Sequence, residues 1–326
     1  MHFVDCQYLE DHLTYPKDTD MHDLPTIYGK VQSVLLTQAK DYFDEAGNTR
    51  HYPNMPGMSD LEVISLAIAA ECVQVSSENL LWSKLRTDYS NLFPNLIHRT
   101  SYNRRRKALR DTVLHCTEMM ASRMVSDQEA FLIDSIPVPT CRIVREHSSK
   151  ACRRPDRDVV VANKGFNRIL GGYFIGYKMH IITSETGVYR DLLLTPASTH
   201  DSTFLKEISP DDTHLYGRTL IGDRGYIGHS TQMRLFEEVR LQLDVPYRRN
   251  QHDFKTYDLD KRIKRKSIEV VFSQYCDEFL LRLNYAKRFA GFEIRILTKV
   301  AAKTFKQFWN FIHGRNINQT KHALAA

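Results

Sequence analysis

The sequence lacks the features that several classes of protein require. None of its apolar runs approaches the roughly 20 residues that a transmembrane helix needs. The first residues have no basic stretch followed by an apolar one, as a signal peptide would. The six cysteines form no C-x-x-C pair, which argues against a zinc ribbon and against a secreted disulfide framework. We therefore expect a soluble cytoplasmic protein that has no membrane partner.

A strong excess of charge of one sign is also missing. The 326 residues include 45 Lys and Arg and 39 Asp and Glu, a net charge of +6, which is only a weak indication of a polyanionic partner. The distribution is more informative, because basic residues cluster at 104–107 and again at 261–266. Such clusters are typical of DNA-binding proteins, although a solvent-exposed charged surface has the same composition.

Residues from about 25 to 120 have the apolar spacing of helices. Ser59 and Glu62 form a predicted capping box at the start of one helix. A short helix beginning near Glu78 and a basic helix over 102–109 follow. This succession resembles a helix-turn-helix arrangement, and a small helical bundle with a basic outer surface is the alternative. The residues predicted to contact DNA are Ser101, Asn103, Arg104, Arg105 and Arg106.

From residue 130 the pattern changes to strands alternating with helices. The continuous apolar run 131–138 predicts a strand covered on both faces. Further strands are predicted at 173–183, 188–195, 219–223 and 241–247, with a helix at 231–239. The polar stretches 140–170 and 248–266 predict irregular structure, the second as an insertion. We expect a helical DNA-binding domain over 1–122 and an α/β domain over 123–326, ending in a C-terminal helix.

Three acidic residues occupy positions that favour a metal site. Asp134 follows the apolar run 130–133, Asp223 closes the strand that begins at residue 219, and Glu269 lies early in a helix-like stretch. A carboxylate at the end of a buried strand needs a partner or a cation, and three together favour a hard divalent ion such as Mg²⁺. Each has an alternative: Asp223 could start a turn, Glu269 could stabilise a helix N-terminus, and Asp134 could pair with a buried arginine.

The order of strands and helices is the one expected of a ribonuclease H-like fold, in which helices flank a mixed sheet. Blocks of sequence in the same order resemble bacterial insertion-sequence transposases of the DDE class, closest to the group named after insertion sequence 982. The blocks lie at 58–64, 101–106, 133–139, 176–180, 194–197, 221–227 and 268–274. The resemblance implies that Asp134, Asp223 and Glu269 are the catalytic triad and bind two Mg²⁺ ions, for which Mn²⁺ is able to substitute.

The resemblance also implies double-stranded DNA as the partner, at element ends and at the target, bound by a homodimer associated with chromosomal DNA. No small-molecule cofactor is expected. Further predicted DNA contacts are Lys178, Arg224, Arg262, Lys264, Arg265 and Lys266. Related transposases carry the signature Tyr-x-x-Arg-x-x-x-Glu-x-x-x-x-x-x-Lys, of which Arg265 and Glu269 match while Arg262 and Cys276 replace the other two.

Two nearby histidines are interpreted as structural. His180 shares a strand face with Lys178, and His200-Asp201 is more typical of a helix start than of a ligand pair. The predicted function is DNA strand cleavage and strand transfer. A catalytically inactive, repurposed DNA-binding protein and a plain metal-dependent nuclease are the alternatives.

Overall fold

Two contact units make up the structure, a computed structural model that describes residues 24–125, 128–156, 158–168, 171–211, 214–246 and 259–324. Of the described residues, a helical unit contains those up to Met124, Tyr275–Tyr285 and those from Ala290 onwards. A sheet unit contains Val125–Gln274 and Ala286–Phe289. The C-terminal helix therefore groups with the helical unit, whereas the sequence pattern had suggested a place in the α/β domain.

The helical unit confirms the helices predicted for residues 25–120. Ser59 and Glu62 form the predicted capping box, since each side chain accepts a hydrogen bond from the other residue's backbone amide. The helices are α1 (Leu24–Gln38), α2 (Asp60–Cys72), α3 (Glu78–Thr87), α4 (Arg99–Ala108), α5 (Arg110–Met124) and, at the end of the chain, α9 (Phe289–Ile312). None of the described helices combines the length and the apolar composition needed to cross a lipid bilayer.

Helix α9 is buried on more than its apolar face. Its apolar face, which includes Val300 and Phe305, is buried. Lys299 and Lys303 are buried as well. The Lys299 ammonium is paired with Glu71 on α2 and also donates a hydrogen bond to the Phe279 carbonyl. A lysine is stable at such a position because a carboxylate compensates its charge.

Six strands form one mixed sheet in the described residues of the sheet unit. Strand β1 lies between β3, to which it is antiparallel, and β5, to which it is parallel, and β6 is parallel to β5. Strands β2 and β4 both pair with β3. Their bounds are β1 Ala130–Cys141, β2 Asn163–Asn167, β3 Gly172–Ser184, β4 Tyr189–Pro196, β5 Thr219–Ile221 and β6 Gln242–Asp244.

Strand β2 contradicts the expectation that residues 140–170 are irregular. Its sequence is polar and has few of the residues that favour strands, so the local pattern did not indicate it. A close approach of backbones explains its position. A methyl group at Gly165 would lie 2.5 Å from the Ala197 carbonyl oxygen, so only glycine fits there.

Helices cover the sheet, as expected for a ribonuclease H-like fold. Helices α6 (Thr203–Glu207) and α7 (His229–Val239) bury Phe204 and Leu235 against Ile133 of β1. Because neighbouring residues of a strand point to opposite faces, Asp134 faces away from this core. Arg265 of α8 (Leu259–Asp277) reaches Asp134, which places α8 on that other face.

Helix α8 begins earlier than predicted. It includes residues 259–266, which were expected to belong to an irregular insertion, while the rest of that expected insertion, 248–258, lies outside the described residues. Glu269 lies in a helix, as predicted, and is exposed, while Ile268 and Tyr275 of the same helix are buried. The basic residues 264–266 therefore lie inside the helix, beyond its first turn.

Candidate active site

Asp134 and Asp223 lie at the same level of two adjacent parallel strands. The last residue pair of the β1–β5 ladder joins Leu132 and Ile221. Asp134 lies two residues after Leu132, and Asp223 lies two residues after Ile221. Both carboxylates therefore lie near the carboxyl end of β5, beside β1. The residues that the sequence singled out as strand-terminal acids are thereby brought to one edge of the sheet.

The ionised form of the Asp134 carboxylate is disfavoured in the folded chain. Burial raises its pKa to about 7, against a lowering by the hydrogen bond from the Ser135 amide to Oδ1, which is 2.8 Å long. The negative charge of Asp223 raises the pKa further, and the charge of Arg265 lowers it. The Arg265 guanidinium lies 3.8 Å from Asp134 Oδ2, a loose ion pair that leaves much of the charge uncompensated.

Asp223 also has a structural role. Its Oδ1 accepts a hydrogen bond of 2.7 Å from the Gly225 amide and caps a single turn of 3₁₀-helix, Arg224–Tyr226. This contact matches the turn-forming alternative for Asp223, and it leaves the second carboxylate oxygen for another partner. A capping role and a metal-binding role are therefore compatible at this position.

Asp201 is the acidic residue that the sequence analysis missed as part of the site. It precedes α6 as expected, but its side chain does not cap that helix. Asp201 Oδ1 instead accepts hydrogen bonds from the Ser135 hydroxyl, at 3.0 Å, and from the Lys178 ammonium, at 2.9 Å. The Lys178 ammonium also donates to the Thr199 carbonyl at 2.8 Å. Asp201 thus connects the segment that carries Asp134 to the segment after β4.

Asp201 is also close to Asp223. A methyl group at Gly225 would lie 2.9 Å from Asp223 Oδ1 and 3.1 Å from Asp201 Oδ2, so these two oxygens are no more than about 6 Å apart. The local pattern His200-Asp201 could not reveal this, because the contacts are made with residues on three other strands and turns.

Glu269 is placed differently from the two aspartates. It is exposed on α8, one helical turn after Arg265, on a helix that faces Asp134. No contact joins Glu269 to Asp134 or Asp223 in the described residues. Within the same part of the chain, no group of three or more His, Cys, Asp or Glu side chains has the geometry of a metal site.

The donor set nevertheless fits a hard divalent cation at Asp134 and Asp223. Carboxylate oxygens are the ligands that Mg²⁺ prefers. Burial and the charge of Asp223 raise the pKa of Asp134, and the Arg265 guanidinium at 3.8 Å offsets them only in part. A bound cation would supply that charge and would favour the ionised form.

His180 has a structural environment, in agreement with its interpretation from the sequence. Its ring is fully buried, and Nε2 lies 2.9 Å from the Thr195 hydroxyl. Burial lowers the pKa of His180 to about 4, so the ring is neutral near pH 7.

The predicted DNA-contacting residues of the sheet unit fall into two groups. Lys178 is bound to Asp201, Lys264 forms ion pairs with Glu185 and Asp260, and Arg265 faces Asp134. The second group has exposed side chains and comprises Arg224, Arg262 and Lys266.

The predicted DNA-contacting residues of helix α4, in the helical unit, also fall into a paired group and a more exposed group. Arg105 pairs with Asp60 at 2.5 Å, and the buried Arg106 pairs with Glu78 at 2.8 Å. The amide of Asn103 also donates to Glu78. These three side chains hold α4 against α2 and α3, while Ser101 is partly exposed and Arg104 is exposed.

A comparison with protein-family models decides the family. The model of the transposase DDE domain matches residues 126–305, which is more than half of the chain. The chain belongs to the DDE transposase family. The matched segment contains Asp134, Asp201, Asp223 and Glu269. Comparisons with curated proteins and with solved structures found no match. Membership implies an enzyme of the polynucleotidyl-transferase type, and DDE transposases generally use divalent metal ions.

The raised pKa of Asp134 predicts a pH-dependent stability in metal-free buffer. The folded state holds the proton more tightly than the unfolded state, whose pKa is near the ordinary 3.8. This group's contribution to the free energy of unfolding therefore falls as pH rises from about 4 to about 7. Asp134→Asn has no carboxylate to ionise. Between pH 5 and pH 8, its free energy of unfolding, measured by urea denaturation, should therefore rise relative to that of the wild type by on the order of 2 kcal/mol. If the two proteins differ in free energy of unfolding by the same amount at pH 5 and at pH 8, the pKa of Asp134 is not raised in the folded state.

The ion pairs of α4 predict unequal effects of two neighbouring arginines. Arg106→Ala leaves the partly buried Glu78 without its closest cation and should lower the free energy of unfolding by roughly 2–4 kcal/mol. Arg104→Ala, two residues away and exposed, should change it by less than about 0.5 kcal/mol. Urea denaturation at neutral pH measures both. Equal losses would mean that the Arg106–Glu78 pair does not stabilise the helical unit.

Proposed function

We propose that this DDE transposase binds the terminal inverted repeats of its element, cleaves DNA at the element ends and joins the freed 3′ end to target DNA. The observation that carries the proposal is the pairing of Asp134 and Asp223 at one level of adjacent parallel strands, inside the segment that matches the family. The proposal places the chain in the group named after insertion sequence 982, and the catalytic triad is Asp134, Asp223 and Glu269.

Both steps are displacements at phosphorus. In cleavage, a water oxygen forms a bond to phosphorus while the bond to the 3′ oxygen breaks, which leaves a 3′-hydroxyl. In strand transfer, that 3′-hydroxyl oxygen attacks a phosphate of the target and displaces another 3′ oxygen. Two bound Mg²⁺ or Mn²⁺ ions supply charge and orientation for such an in-line displacement.

The side chains of the site have separate tasks in this scheme. Asp134 and Asp223 supply ligand oxygens from rigid strand ends, so the reacting groups are held in one geometry. Glu269 supplies a third carboxylate from α8, on the helix whose Arg265 already reaches Asp134. Rotation of the exposed Glu269 side chain, or a small shift of α8, is required to bring it to the same ions.

Among the residues predicted to contact DNA, the proposal retains those that have no intramolecular partner in the described chain. In the sheet unit these are the exposed Arg224, Arg262 and Lys266, and in the helical unit Arg104 with the partly exposed Ser101. The other predicted residues, including Arg106 and Lys178, act first as structural cations. Because both element ends must be processed together, we expect a homodimer on DNA.

Strand transfer with cognate end DNA and Mg²⁺ tests the proposal. Asp134→Asn, Asp223→Asn and Glu269→Gln should each reduce strand transfer by at least about 1,000-fold, because each removes a ligand of the reacting ions. Binding to the terminal repeat in Ca²⁺ buffer should be retained. Glu237→Gln, an exposed glutamate of α7, is the matched control and should be fully active.

The outcomes separate the proposal from its alternatives. Full activity of any of the three variants removes that residue from the triad. An inactive wild-type protein that still binds terminal repeats without holding Mg²⁺ or Mn²⁺ in calorimetry is a repurposed DNA-binding protein. Cleavage of random DNA with the same efficiency as element ends indicates a plain nuclease.

A further inference from the structure

The hairpin of β2 and β3 carries an exposed pair of aromatic side chains. Phe166 is 62% exposed and Tyr173 is 61% exposed, and their ring centroids lie 5.3 Å apart in an edge-to-face arrangement. A cross-strand aromatic pair stabilises a hairpin, but that role does not require more than half of each residue to stay in water. Adjoining exposed apolar groups are typical of interaction surfaces.

The segment that leads into this hairpin is basic. Among the described residues of 140–168, only one exposed residue is acidic, Asp156. Six exposed residues in the same range are basic, and they are Arg142, Arg145, Lys150, Arg154, Lys164 and Arg168. The charge of this segment is therefore complementary to that of a polyanion.

Direct contacts join the basic segment to the aromatic pair. The 3₁₀ turn Ile143–Arg145 lies beside β3. Glu146, directly after that turn, lies 2.9 Å from the Lys164 ammonium. The same ammonium lies 5.0 Å from the centroid of the Tyr173 ring. Aromatic rings bordered by cations are the composition of sites that bind single-stranded nucleic acid.

The aromatic pair lies on the sheet face that carries Asp134. Phe166 and Tyr173 are directly paired across β2 and β3, so their side chains share a face. Tyr173 precedes Ile181, the ladder partner of Asp134, by eight residues, and an even separation along a strand keeps side chains on one face. The separation along β3 is roughly 26 Å, the length of about eight base pairs of B-form DNA. A DNA strand held at Asp134 can therefore reach the aromatic pair.

The state of the bound DNA follows from what the rings can contact. In a duplex the faces of the bases are covered by neighbouring base pairs, so a side-chain ring can stack only on a base that has left the stack. The phosphates of a single strand remain beside its bases, within reach of lysine and arginine side chains. Cations alone would suit a duplex equally well, whereas two exposed rings favour a single strand.

We propose that Phe166 and Tyr173 form a stacking surface for unpaired bases of the DNA strand that leaves the aspartates, and that Lys164 and Arg168 bind the phosphates of that strand. This inference rests on the proposed function, since that function places the scissile phosphate at Asp134. Stacking on Tyr173 requires the Lys164 ammonium to move from the ring to a phosphate, which its flexible side chain permits.

Fluorescence anisotropy of the full chain with labelled DNA tests the stacking surface. The probes are an oligothymidylate of about 20 nucleotides, longer than a usual single-strand site, and a blunt duplex of the same length without terminal repeats. Phe166→Ala and Tyr173→Ala should each weaken oligothymidylate binding roughly 5- to 100-fold and duplex binding by less than about twofold, because only the single strand stacks on the rings.

Two kinds of control accompany these variants. Phe166→Tyr and Tyr173→Phe keep a ring at each position and should bind oligothymidylate as the wild type does. Phe236→Ala removes another exposed ring of the sheet unit, from helix α7, which covers the opposite sheet face. This variant should bind both probes as the wild type does.

Salt dependence tests the phosphate contacts separately. Arg168→Ala removes one cation, so the slope of log K for oligothymidylate against log salt concentration should become shallower by about 0.7. Phe166→Ala removes no charge and should leave that slope unchanged while it lowers the affinity. Different effects of the two variants are not expected if both merely disturb the hairpin.

Three results would overturn the proposal. The first is oligothymidylate binding that is absent in the wild type or equally tight in the alanine variants. The second is an equal loss for both probes, which would mean that the rings contact duplex DNA. The third is a changed oligomeric state in ultracentrifugation with unchanged oligothymidylate affinity, which would mean that a second copy of the chain covers the rings.

Strand transfer by the wild type separates this failure from failure of the proposed function. An active wild type whose binding does not depend on the rings refutes the stacking surface alone. An inactive wild type whose oligothymidylate binding still depends on both rings refutes the proposed function and supports the surface.

Discussion

The site depends on placing a carboxylate on an inner strand of the sheet, where burial disfavours its ionised form. Asp134 lies just beyond the last pair of β1 with β5, and its side chain is only 21% exposed. The structure compensates its charge with one backbone amide and with Arg265 at 3.8 Å. The negative charge of Asp223, which follows the neighbouring strand β5, disfavours the ionised form of Asp134 further. A fold built for stability alone would place an apolar residue at this position, so the cost indicates a functional requirement.

Asp201 shows how the chain organises the region behind these acids. Its carboxylate bonds Ser135, the neighbour of Asp134, and lies close to Gly225, whose amide binds Asp223. Lys178 balances the charge of Asp201, so the connection does not add another uncompensated anion. The Lys178–Asp201 pair therefore connects the two segments that carry the proposed ligands.

Local patterns were sufficient to predict the features that depend on neighbouring residues. The apolar run before Asp134, the strand before Asp223 and the Ser59–Glu62 capping box are all local, and the structure confirms them. The helix that carries Glu269 is of the same kind. A strand that depends on close backbone contact, such as β2 at Gly165, leaves no such pattern.

Features that depend on distant partners could not be predicted in this way. Arg105 and Arg106 pair with acids 45 and 28 residues earlier, so a cluster of arginines indicates DNA contact whether or not those acids are present. Lys299 is paired across 228 residues with Glu71. Asp201 reaches Ser135 across 66 residues, and only the folded sheet brings them together.

A crystal structure grown with Mn²⁺ and element-end DNA, with anomalous diffraction recorded, tests the central claim most directly. We expect an anomalous peak about 2 Å from carboxylate oxygens of both Asp134 and Asp223, with the Asp134 oxygen that now faces Arg265 turned to the ion. The absence of a peak there, with Asp134 still directed at Arg265 in the DNA-bound protein, would contradict the account.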